Sequence, residues 1–167
     1  SELVLGKLFA SLLNIFFMVA AAAPVFMLTT LFGGASFTQV ARVFAVTIAS
    51  ALVAGSLGST LAFWREKTFQ TLSIAALVLV MWLGIWEGVN IGLGDVPLMG
   101  MDGHAWATMF SPFRAILAAA HPAMDIGVGT RLLDDKVTWF VLIALGGTFI
   151  LNAIAIARVR VWNPSRE

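Results

Sequence analysis

Both histidines of this sequence, His104 and His121, have a carboxylate close by in the chain, Asp102 and Asp125 respectively. Imidazole and carboxylate together can ligate a metal or pass a proton to and from a substrate. The spacing of these four residues matches no recurrent ligand pattern, so no metal is expected. A membrane-bound, metal-dependent hydrolase built on His104, His121 and the nearby acids is the least favoured reading. It would require activity in the isolated chain and loss of that activity on chelation. Gly55-Ser-Leu-Gly-Ser-Thr60 has the look of a phosphate loop, but no lysine precedes the serine and the stretch lies inside an apolar run. The chain has no cysteine, hence no disulfide and no thiolate chemistry. No nucleophile and base stand at catalytic spacing. The sequence therefore offers no enzyme centre and no cofactor site of its own.

Asn14 and Glu87 are polar residues within otherwise apolar runs. Asn14 reads either as a pathway contact or, more ordinarily, as a hydrogen bond to a neighbouring helix. Glu87 is ionisable, and an ionisable group inside a membrane is a functional candidate by default. Its depth weakens that reading. It stands roughly 24 Å along its helix from the preceding turn, at 1.5 Å per residue, near the far interface. A snorkelling or capped carboxylate is expected there.

The elements that must carry these residues follow from composition. Of 167 residues, 60% are hydrophobic and only 11% charged; mean hydropathy is +0.95. A soluble domain is about a quarter charged, so lipid has to be the solvent for most of this surface. Spanning backbone must satisfy its own hydrogen bonds, and the alternation of a barrel strand is absent, so the spans are helices. The net charge of +1 gives no reason to expect a nucleic-acid partner.

The organising stretch is Val40 to Leu93, two apolar runs folded at Phe63-Trp64-Arg65-Glu66-Lys67-Thr68. A charge at the bilayer centre costs roughly 2.5–3.5 kcal/mol, so the turn sits in water with Trp64 at headgroup level. Before it, Leu3 to Phe32 is a first span, with a kink expected near Pro24 and an end at Gly33-Gly34. Ser36 to Arg42 is a short loop with an amphipathic start to the next helix, and Val43 to Phe63 is the second span. Small residues recur there every fourth position, as Ala51, Gly55, Ser59 and as Ala54, Gly58, Ala62, and are expected to face another helix. Thr71 to Leu93 is the third span.

Gly94 to Lys136 is the one long polar segment. Within it Ser111-Pro112 marks a helix start and His121-Pro122 its stop, so a short helix over Phe113 to Ala120 is expected at the interface. Asp134-Asp135 should cap the fourth span, Val137 to Ala157. The expected fold is thus all-α and integral to the membrane, with about four transmembrane helices and a short external interfacial helix between the third and fourth. Residues 1–167 form one transmembrane domain, and 94–136 form its external segment.

Four spans put both ends and the Arg65/Lys67 turn on one side, with six basic residues (Lys7, Arg65, Lys67, Arg158, Arg160, Arg166) against four (Arg42, Arg114, Arg131, Lys136). The excess marks that side as cytoplasmic; the membrane is expected to be the cell (inner) membrane.

Several stretches resemble type-2 ABC transporter permeases. Leu3-Val-Leu-Gly-Lys-Leu-Phe-Ala10 is similar to the LGKLLA opening of a span in that family. Leu31-Phe-Gly-Gly34 fits its end, and a small-residue helix runs from Gly55 to Ser59 into Phe63-Trp64-Arg65. The closing order agrees too: a helix, an external segment with Ser111-Pro112-Phe113, and a last span ending at Arg158. The resemblance covers nearly the whole chain through short motifs. It implies six spans per subunit, of which these would be the last four. It also implies a second permease subunit, as homo- or heterodimer, and a cytoplasmic ABC ATPase that binds the ATP. The cytoplasmic coupling helix of the family would lie before Ser1. Lys7, Arg65, Glu66 and Lys67 are then expected to face the ATPase, with Gly55, Gly58 and Pro24 permitting helix motion. A scaffold subunit of a membrane complex, which transports nothing, is the other alternative.

Overall fold

A computed structural model of the chain describes residues 2–62, 68–121 and 135–162. Among these are six helices and one two-stranded hairpin. Helix α1 covers Glu2–Leu31, α2 Phe37–Ala62 and α3 Thr68–Gly92. The strands β1 (Pro97–Leu98) and β2 (Met101–Asp102) follow, then α4 (Gly103–Phe110), α5 (Pro112–Ala120) and α6 (Lys136–Trp162). Three of the helices are long and apolar enough to cross a membrane, over Phe37–Ala62, Phe69–Gly92 and Lys136–Ala157.

Local chemistry sets the ends. The α1 helix stays helical through Pro24. It closes in a turn that uses the conformational freedom of Gly33, at φ 75°. There the Gly34 N–H donates to the Thr29 carbonyl (3.0 Å) and the Gly33 N–H to the Thr30 carbonyl (3.1 Å), which satisfies carbonyls the helix leaves open. The second helix starts at Phe37, earlier than the expected loop to Arg42. The cause is a reciprocal cap: the Gln39 N–H donates to Ser36 Oγ (3.2 Å) and the Ser36 N–H to Gln39 Oε1 (2.7 Å). The hairpin turns at Met99 and Gly100, both at positive φ (53° and 85°), the arrangement a two-residue turn demands. Ser111 ends α4 and starts α5: its N–H donates to the Ala107 carbonyl while its Oγ accepts from the Arg114 N–H. Proline follows at the first helical position, where its missing N–H costs nothing.

The core is an interface of small and branched side chains. Val46 and Ala49 of α2, Ala115 and Ala119 of α5, and Val137, Phe140 and Ala144 of α6 form one buried cluster. The α2 and α6 helices make the most extensive pairing, α1 lies along α2, and the α4–α5 pair touches α2, α3 and α6. By contrast, none of the apolar window of α3 is buried (0%). Polar groups tie α2 to α6 at two levels. Near the start of both, Arg42 Nη2 contacts both oxygens of Asp135 at 2.8 Å, and Asp135 accepts from the Val137 N–H (3.2 Å) as the cap of α6. Farther along, Asn152 Nδ2 donates to Ser56 Oγ (3.0 Å) and Thr60 Oγ1 to the Leu151 carbonyl (3.2 Å). Asp134 lies outside the described residues, as do Pro122 and Asp125.

Candidate functional site

The α4–α5 pair forms a wedge. Its first helix descends beside α3: the Gly103 end meets Leu93 and Gly94, and the Phe110 carbonyl accepts from Trp82 Nε1 at 2.8 Å. The second helix returns beside α2, and Gln39 Nε2 donates to the Ala120 carbonyl (3.1 Å) at its end. The corner, Met109 to Pro112, reaches the level of Ser50 and Ala144. Ser50 is about 20 Å along α2 from Phe37, at 1.5 Å per residue. The wedge therefore sinks between the long helices and does not lie across their ends. Of the two helices only α5 is expected from the sequence. Helix α4 is short and begins at glycine, and Asp102 stands at its N-cap position without making a side-chain cap bond.

Further attachments hold the wedge to α3. Arg114 forms a two-pronged ion pair with Glu87: Nε donates to Oε2 at 2.9 Å, and Nη2 meets Oε1. Both side chains are about one-third exposed (28% and 34%), so the pair sits at the rim of the bundle and not in its core. Paired, fork-to-fork contacts of this kind fix geometry as well as charge. Above it, His104 Nδ1 lies 2.8 Å from Asn90 Oδ1, with Asp95 3.6 Å from Nε2. Aromatic faces complete the join, with Trp86 of α3 stacked on Phe110 (4.7 Å, 11°), which also stacks on Trp106 one turn earlier in α4 itself (5.9 Å, 16°).

Beneath the wedge corner is an apolar cavity of ≈ 280 Å³, bounded by α2, α3, α6 and the corner itself. It lies about halfway along α2 and α3, between residues such as Val53, Leu57, Leu79 and Ile143.

The structure distributes the sequence candidates unevenly. Glu87 belongs to the wedge junction, and its partner Arg114 was legible only as one of four basic residues on that side. The available signal is general: an ionisable residue within an apolar span tends to pair, which does not say with which of those four bases. His104 is drawn to Asn90 and Asp95. Among the described residues no three His, Cys, Asp or Glu side chains converge on one point. Asn14 and Pro24 are exposed on α1. Gly55 and Gly58 have no described atom within 4 Å of where a Cβ would stand, and Ala51 is half-buried. Ser59 Oγ donates back to the Ser56 carbonyl at 2.9 Å. The face of α2 that meets α6 is the one bearing Ser56 and Thr60. Lys7 lies near the start of α1, while Arg65, Glu66 and Lys67 lie outside the described residues.

Compared with models of protein families, with characterised proteins and with solved structures, the chain matches none.

Proposed function

We propose that the chain is membrane-spanning permease sequence of an ATP-driven transporter of the type-2 ABC kind. It crosses the cell membrane four times, through α1, α2, α3 and α6, with both ends cytoplasmic and the wedge entering from outside. It works as a dimer with a second permease subunit, and a separate cytoplasmic ATPase supplies the driving force. The observation that supports this reading most is the sunken wedge. A helix break at membrane depth is tolerated where protein or a cavity surrounds it, and such a break is useful to a pore wall that must open. Stacked rings and one ion pair tie the wedge to α3, so a displacement of α3 would carry the wedge with it. Rigid-body motion of packed helices is a standard route to alternating access.

Orientation is tested by single cysteines at Lys67 and at Met99, which is 92% exposed at the hairpin tip. An impermeant thiol reagent should reach them from opposite faces of the membrane. Labelling of both from one face would end the four-span reading.

The transporter reading is tested at the Trp64–Thr68 turn. In membranes carrying the full permease and its ATPase, the pair Arg65→Glu and Lys67→Glu should lower stimulated ATPase activity about fivefold, the lower end of coupling between sites. The subunits should still associate. Unchanged basal and stimulated rates with normal insertion would reduce the turn to a topological anchor.

A further inference from the structure

We infer that the cavity beneath the wedge corner is a binding site for one hydrocarbon chain of a membrane lipid. The inference rests on embedding in a bilayer, as proposed above, and not on transport.

Water has no hold there. A buried water needs two to four polar partners. Only Ser50 and Trp82 bring a side-chain O or N to the lining, and both have spent their hydrogens. Ser50 Oγ donates to the Val46 carbonyl at 2.7 Å and Trp82 Nε1 to the Phe110 carbonyl at 2.8 Å. The remaining walls are side chains such as Val53, Leu57, Val78 and Ile143. A dry apolar cavity of this kind accepts apolar guests.

Size excludes a protein partner. A helix with its side chains is about 10–12 Å across, which ≈ 280 Å³ cannot admit over any useful length. The same volume takes roughly nine methylene groups, if each fills about a water's 30 Å³ share of the liquid. That is a segment of one acyl chain.

Access is lateral. The α3 and α6 walls face each other across the cavity and scarcely touch among the described residues. The gap between them opens halfway along α2 and α3, where a bilayer offers only acyl chains. A chain that enters replaces the dispersion contacts the facing walls lack. The corner of the wedge roofs the site, so the bound chain would be gripped between the wedge and the long helices.

The test uses the whole chain reconstituted in phosphatidylcholine vesicles with a trace of phosphatidylcholine bearing a mid-chain diazirine. After irradiation, adducts are mapped by mass spectrometry. Met109, only 7% exposed, should be labelled alongside freely exposed Phe149 (77%). Filling the cavity with Ala54→Phe should cut the Met109 adduct about tenfold and leave the Phe149 adduct unchanged. Gly147→Leu fills the same space from α6 and should do the same, which guards against misfolding of the first variant. No Met109 adduct in the wild type, or an adduct that both variants leave intact, would overturn the site. Absence of all adducts, Phe149 included, would overturn the bilayer embedding as well.

Discussion

With Arg114 replaced by alanine, the protein should unfold in detergent at a midpoint lower by on the order of 5 °C. The reason is the loss of a two-pronged contact. Glu87 has both oxygens on the guanidinium, and charge-assisted bonds of this geometry are the strong ones. Glu87→Ala removes the same two bonds and should lower the midpoint similarly. The double variant loses nothing more than that pair and should unfold at about the midpoint of either single variant. Arg114→Lys keeps the charge but loses the fork that matches a carboxylate, so it should recover only part of the loss. Thermal melts of the four variants decide this. Strictly additive losses would mean the two side chains act independently, and the pair would then be no fastener between wedge and α3.

Gly103→Ala should be worse still for its size, costing about 3 kcal/mol, the upper end of overpacking penalties. A methyl group there would overlap the Leu93 carbonyl and crowd Gly94, so backbone would have to yield and not the tip of a flexible side chain. Gly103 is buried, and the neighbouring His104 N–H donates to the Gly94 carbonyl at 3.2 Å. The same methyl would therefore pull α4 off the end of α3. Gly55→Ala is the natural comparison, since no described atom stands within 4 Å of its Cβ position. Denaturation of both in detergent checks the contrast. Similar midpoints for the two would show that the junction can relax.

The long helices were readable because hydrophobic length is a one-body property of the sequence. Bilayer thickness sets the span, and each of the three candidates meets it independently of its neighbours. The start of α5 was readable for a similar reason: Ser111 and Pro112 act on their own turn. What stayed hidden was relational. Glu87 and Arg114 are separated by 27 positions, a distance no helical or strand period reports. Helix α4 is held by what surrounds it, since Gly103 against Leu93 and Phe110 against Trp86 are tertiary facts. The small residues of α2 show the limit in reverse. Their spacing announces that a close approach is sterically allowed on the Gly55 face. Of the helices packed on α2, α6 meets the face with Ser56 and Thr60, where hydroxyls find Asn152 and the Leu151 carbonyl.

The brevity of the wedge helices bears on how the protein is made. Eight and nine residues are far short of the roughly 20 an insertion apparatus accepts as a span. Neither helix can therefore be threaded into the bilayer during synthesis on its own hydrophobicity. The seat for Ala115 and Ala119 is also half built from Val137, Phe140 and Ala144, residues the ribosome adds later. On the four-span topology proposed above, the segment waits outside during biogenesis, as an emerging loop, until α6 has been inserted and has paired with α2. Only then can it fold inward as a plug. Ser111 suits that late entry, because it satisfies the open backbone groups of both short helices from within the corner and leaves less for water to solvate as the loop leaves it.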